Sequence, residues 1–221
     1  MIPYSHIVVA AQLEPLLSPA EPAEYYWGTV AADMRYPAGV ARSQTHLAPE
    51  QISAYAAKFP LNKSFLQGYL VHCLADEVDL KVIFGRQLPF LLFKRQLYRS
   101  RLAIILEMYH FEQQGVDRQV SGRYNPVLAE LGLSEAVCTK FAQSMNIYMK
   151  EPTPEGRFST LFQMMGMVDE GKENSYKSAA ERLQKNTLLK GAMFAGIRYG
   201  KICEKIVAEV EGMARKCIIG V

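Results

Sequence analysis

The sequence predicts an all-α protein, a multi-helix single domain covering residues 1–221. Three observations carry that expectation. Apolar residues recur at helical spacing through most of the chain, no segment sustains strand-type alternation, and Pro, Gly and Asn clusters punctuate the periodic runs. With 49% hydrophobic and 21% charged residues the composition is that of an ordinary globular domain.

Ser5 reads as the N-cap of a short first helix carrying His6, Val9, Ala10 and Leu13, ended by Pro15 and "SPAEP". "AEYYWGTVAADM" is a second helical or turn-rich segment that stops near Tyr36-Pro37, and "MRYPAGVARSQTHL" reads as a loop around Pro37 and Gly39. "APEQISAYAAKF" starts a helix with Pro49 at its first position. "NKSFLQGYLVHCLADEVDLKVI" continues with Asn62 as cap and a broad apolar face at Phe65, Leu66, Tyr69, Leu70, Cys73 and Leu74. "FKRQLYRSRLAIILEMYHFEQQ" is a further long helix with His110 near its end, followed by a loop over residues 116–126.

"NPVLAELG", "SEAVCTKFAQSMNIYMK" and "RFSTLFQMMGMVDEG" carry amphipathic patterns, with "EPTPEG" between the last two as the candidate hinge at 150–156. Residues 174–217 keep helical spacing, and the charged "KICEKIVAEVEGMARK" can pack on its own domain or on a partner. The domain thus reads as two halves. Residues 1–115 hold every histidine, and residues 116–221 are helical with no assigned role.

Charge and cysteines narrow the function classes. A net charge of +3 without a Lys/Arg run argues against double-stranded nucleic acid as a partner. Cys73, Cys138, Cys203 and Cys217 form no CxxC pair, so neither a cysteine zinc site nor a disulfide scaffold is expected. Cys73, Cys138 and Cys203 read as buried free thiols. The longest apolar run, "LPFLLFKRQLY", breaks at Lys94-Arg95 and falls short of the roughly 20 residues that span a bilayer. No transmembrane segment and no signal peptide are read, so a cytoplasmic location is expected.

The chemistry-bearing residues cluster early. His6, His46, His72 and His110 all precede residue 111, and Asp33, Asp76 and Asp79 lie in the same half. His72 and Asp76 stand at i and i+4, which puts an imidazole and a carboxylate on one helix face, one turn apart. Taken alone the pair is equally a structural hydrogen bond. Together with Asp33 and His46 it has the ligand types of a zinc site, and His6 adds a further donor.

These stretches in order, "HIVVAAQ", "YYWGTVAADMRY", "SQTHL" and "GYLVHCLADE", resemble the zinc-dependent phospholipase C family in its broad sense. That family includes single-strand nucleases of the same fold and the N-terminal domain of glycosylphosphatidylinositol-specific phospholipase D. Its pattern is an early His, a Y-x-x-G-x-x-x-P-D stretch, a T-H pair and G-x-x-x-H-x-x-A-D. The matching residues are His6; Tyr25, Gly28 and Asp33; Thr45 and His46; and Gly68, His72, Ala75 and Asp76, over roughly residues 1–80.

The resemblance implies that Asp33, His46, His72 and Asp76 bind one zinc. It implies that His6 binds a second metal, zinc or another divalent ion, bridged by Asp76. It implies hydrolysis of a phosphomonoester or phosphodiester, the substrate being a small phosphorylated molecule or a phospholipid headgroup. Asp33 would orient or deprotonate the attacking water. Arg35 and Arg42 share the ligand loop; each either grips the phosphate or stands as a solvated loop arginine.

This chain departs from the pattern at three points. Ala32 precedes Asp33 where the family has Pro, and the chain begins Met-Ile, so a terminal-amine ligand of the secreted enzymes is not expected. Leu80, Lys81 and Val82 stand where relatives carry another histidine, leaving Asp79 or His110 to take that place. The alternative reading is a non-catalytic helical binding or regulatory protein that retains a partial metal site. An HD-type phosphohydrolase ranks below both, because no His-Asp dipeptide occurs.

Overall fold

The computed structural model describes residues 2–85, 99–165 and 181–218. Among them the structure is all-helical, with no strand. The hydrophobic run at 88–98, Arg86, and the segment 166–180 lie outside the described residues.

The first helix, α1, runs Pro3–Leu17 with Pro3 at its first position. Ser5 is therefore not its cap but a buried residue inside the first turn, and Pro15 lies within the helix rather than ending it. A proline at the first position loses no hydrogen bond, and Ser18 in the left-handed conformation closes the other end. The first-turn amides of Tyr4 and Ser5 have no partner in their own helix. Buried Glu107 takes them, with Tyr4 N donating to Oε1 at 3.0 Å and Ser5 N to Oε2 at 2.8 Å. Ser5 Oγ (2.6 Å) and the Tyr148 hydroxyl donate to the same carboxylate.

Glu107 thus replaces the missing side-chain cap and complements the positive end of the helix. Glu107→Ala strands these buried donors. It should lower stability by about 3 kcal/mol or more, read from urea unfolding. An unchanged midpoint would mean that α1 is anchored by packing alone.

Helix α2 (Pro22–Ala31) runs into a 3₁₀ turn at Ala32–Met34. The expected loop contains two single turns, α3 (Arg35–Ala38) and α4 (Arg42–Thr45), separated at Gly39 with φ +68°. Helix α5 (Pro49–Lys58) starts at Pro49 as expected. Helix α6 (Lys63–Glu77) starts after Asn62, although that side chain makes no capping hydrogen bond. The segment breaks at Val78, and α7 (Leu80–Gly85) is a separate short helix. Asp79 Oδ1 accepts from the Lys81 amide at 2.9 Å and so starts it.

Helix α8 covers Arg99–Gln113, and Asn125 and Ser134 cap α9 (Pro126–Glu130) and α10 (Glu135–Lys150). Thr153 caps α11 (Pro154–Met164), which folds back on α10. Residues 181–185 are helical, followed by α12 (Thr187–Tyr199) and α13 (Ile202–Ile218). Helix α13 buries Ile202, Ile206, Val210 and Ala214, one residue per turn, and packs on α1, α6 and α7. The charged C-terminal segment therefore closes its own body.

The centre of the fold is the crossing of α2 on α6. Gly28 and Gly68 face each other across it. A Cβ at Gly68 would lie 1.8 Å from the Tyr25 carbonyl oxygen, and one at Gly28 1.9 Å from that of Phe65. The two backbones touch because neither glycine has a side chain. Tyr25, Tyr26 and Trp27 are all in the core rather than on a pocket wall. The Tyr25 hydroxyl donates to the Ala10 carbonyl at 2.9 Å, which ties α2 to α1.

Candidate metal centre

The glycine crossing sets the position of His72. It lies one turn beyond Gly68 on α6, and Thr29 follows Gly28 on α2. His72 Nδ1 is 2.8 Å from the Thr29 carbonyl. A carbonyl only accepts, so the proton is on Nδ1 and the Nε2 lone pair is left to face inward. Asp33 comes one turn after Thr29, on the 3₁₀ extension of α2. Asp76 comes one turn after His72. The buried Tyr69 hydroxyl donates to the Thr45 carbonyl, which brings His46 against the same face of α6. Helix α1 supplies His6, its ring stacked on that of His72 with centroids 4.0 Å apart.

All five residues expected to bind metal therefore converge. His6 Nε2 is 3.5 Å from Asp76 Oδ1, and His46 Nε2 is 3.2 Å from Asp76 Oδ2. The Nε2 atoms of His46 and His72 are 3.4 Å apart. The ligand atoms form two overlapping sets within 4.8 Å: His6, Asp33 and His72; and His46, His72 and Asp76. The family resemblance implied one zinc at Asp33, His46, His72 and Asp76, and a second metal at His6 bridged by Asp76. In the structure His72 is the residue common to both sets. With Nδ1 held by Thr29, His72 has one nitrogen, Nε2, to offer an ion in either set.

The electrostatics fit a cation. His6 and His72 are fully buried, and neither ring nitrogen of His6 has a hydrogen-bond partner, nor does Asp33 Oδ2. Buried polar atoms left in this way cost free energy unless a ligand satisfies them. Burial holds His6 well below its ordinary pKa and His72 down to about 4, and it lowers His46 as well, so these rings are neutral near pH 7. Burial and then the neighbouring Asp76 charge push Asp33 up to about 7. Burial also works to raise Asp76, but the hydrogen bond from His46 and the closeness of the His6 ring overcome it and keep Asp76 ionised.

This distribution gives metal binding a definite pH dependence. The histidines have no proton to lose near neutrality, whereas Asp33 holds one below about 7. Cation binding at pH 6 should therefore release about one proton, with affinity falling about tenfold per pH unit below 7. Asp33→Asn should remove that release, as read from titration calorimetry in buffers of different ionisation enthalpy. A release of several protons would show that the histidines are charged in the free protein.

Other candidates fall outside the cluster. Arg42 Nη1 donates to Asp76 Oδ2 at 2.9 Å from the solvent side, its side chain 46% exposed. Arg35 instead stacks its guanidinium 3.7 Å above the Tyr36 ring. Asp79 is exposed and starts α7, and His110 bonds to Ser5 and Cys203, so neither takes the place of the histidine absent after Asp76. Sequence reasoning missed Glu107, the residue that anchors the helix bearing His6. Its only signal was a carboxylate inside the apolar run "LAIILEMY". No helix among the described residues is long and apolar enough to cross a membrane. No family model, no curated protein and no solved structure matches this chain.

Proposed function

We propose that this chain is a metal-dependent phosphoester hydrolase of the zinc-dependent phospholipase C type, with one divalent ion, zinc by its ligand chemistry, at His46, His72 and Asp76. The observation that carries this reading is the convergence of five His and Asp side chains whose buried acceptor atoms outnumber their donors. When bound there, the ion supplies Lewis-acid polarisation of a phosphoryl oxygen and a water ionising near neutrality.

The chain's own residues divide the remaining work. His72 is oriented by Thr29, and its fixed tautomer aims one lone pair inward. Asp33, whose proton leaves as the cation binds, is then a buried carboxylate suited to take the proton of the attacking water. Arg42 stands on the open side of Asp76, where its guanidinium can pair with two oxygens of a phosphate. His6 backs the cluster from α1 and offers a further nitrogen.

The discriminating experiment is metal analysis of protein purified without chelators, followed by turnover assays. Near-stoichiometric zinc is expected, together with metal-dependent hydrolysis of a phosphomonoester, phosphodiester or phospholipid. His72→Ala should lose both. Protein free of divalent metal would overturn the assignment. A metal-loaded protein inactive on all these substrates would instead be the binding or regulatory protein that the Arg42–Asp76 pair favours, since that pair already occupies one ligand oxygen.

A further inference from the structure

A second constellation of reactive groups lies between α1, α8 and α13. His110, at 1% exposure, bonds through Nδ1 to Ser5 Oγ at 3.0 Å, and its Nε2 is 3.3 Å from Cys203 Sγ. The proton directions follow from the acceptors. The Glu107 carboxylate receives four donors, among them Ser5 Oγ at 2.6 Å, so the serine hydroxyl hydrogen points to Glu107. Ser5 Oγ must then accept from His110 Nδ1, and the Nε2 lone pair accepts the Cys203 thiol. The chain of contacts runs thiol, imidazole, hydroxyl, carboxylate: a nucleophile, a base and a group that orients the base.

The pair opens into a cleft of about 280 Å³ between α1, α8 and α13. Val8 and Val207 give it apolar walls, Gln12 and Gln114 add side-chain amides, and Glu204 and Glu211 give it an acidic side. Cys203 is half-buried and is the second residue of α13. Lys201, held at φ +49° immediately before the helix, makes the turn that presents Cys203 to the cleft.

We propose that Cys203 and His110 form a nucleophilic thiol site that takes an acyl group from a small uncharged or cationic ester. The Cys203 Sγ–C bond forms at the carbonyl carbon as the thiol proton passes to His110 Nε2. The imidazolium is stabilised through Ser5 by Glu107. Collapse breaks the C–O bond, and the leaving alkoxide takes that proton from Nε2 and departs as the alcohol. The product is S-acyl-Cys203 with His110 neutral again, so atoms and charge balance without an oxidant or metal. The acidic side of the cleft selects against anionic donors.

Burial pushes the Cys203 thiol up to about 12 and His110 down to about 3, so the resting pair is neutral. The imidazole therefore acts as a general base at the moment of attack. It is not one half of a standing ion pair.

The test uses the full-length protein and p-nitrophenyl acetate, with the acetylated cysteine identified by peptide mass mapping. Cys217 is the internal control, a half-buried thiol without this histidine partner. A burst of about one equivalent of p-nitrophenolate is expected, with acetyl on Cys203. His110→Gln should slow Cys203 acetylation about 100-fold and leave Cys217 unchanged. Cys203→Ser, which keeps the shape and the contact to His110, should abolish the burst. The proposal is overturned if Cys203 reacts no faster than Cys217 in the wild-type protein, if folded His110→Gln keeps the wild-type rate, or if Cys203→Ser keeps the burst.

Discussion

Replacing Asp76 with alanine is expected to weaken zinc binding by more than 100-fold while leaving the helical fold in place. Asp76 is the residue on which His6, His46 and Arg42 all converge, and it supplies the ionised carboxylate of the cluster. Removing a partner that only orients a ligand already costs roughly 10–100-fold in metal affinity, and a direct ligand should cost more.

The apo fold should tolerate the change. The histidines are held neutral by burial, so no buried positive ring is stranded, and Arg42 has solvent on its open side. Competition against a chromophoric chelator measures the affinity, and circular dichroism the fold. Unchanged zinc affinity would remove Asp76 from the centre. Collapse of the fold would recast the cluster as a structural polar core.

The second large effect is on the fold itself. Gly68→Ala should destabilise the protein by about 3 kcal/mol or more, at or beyond the upper end of the usual cost of overpacking. For a chain of this size that corresponds to a fall in melting temperature of roughly 6–12 °C. The reason is specific to this crossing. The added Cβ would meet the Tyr25 carbonyl oxygen at 1.8 Å and its carbon at 2.8 Å. These are backbone atoms, and no rotamer change can move them, so α2 and α6 must separate.

Gly28→Ala meets the same obstacle from the other helix, against Phe65 and Tyr69 backbone atoms. Separation would also draw the Thr29 carbonyl away from His72 Nδ1, so zinc affinity should fall together with stability. Asp76→Ala should lower affinity alone. A Gly68→Ala protein that melts like the wild type would show that the two helices have room to part.

The all-α class was legible because helical periodicity is a local property of the chain. Pro49 marked the start of α5 correctly, whereas the caps at Asn125 and Ser134 were not read from the sequence. Reading failed where the decisive partner is distant in sequence. Ser5 has the residue type of an N-cap, yet the first turn of α1 is capped by Glu107, more than a hundred residues away. Asp79 offered itself as a ligand by type and position, but its own nearby amides take it. Cys203 fitted a buried apolar pattern, and only the packing of α13 on α1 placed it half-open beside His110.

The sequence by itself determined the donor types of the candidate metal centre. His6, Asp33, His46, His72 and Asp76 are few, chemically distinct and confined to one half of the chain, and His72 and Asp76 share a helix face by spacing alone. Tertiary structure decided how those donors are shared. The family resemblance implied Asp76 as a bridge. The Thr29 carbonyl, brought within reach by the Gly28–Gly68 contact, fixes the proton of His72 and leaves one lone pair at the junction of both sets. That assignment depends on a hydrogen bond between residues 43 positions apart, formed only when two helices meet backbone to backbone.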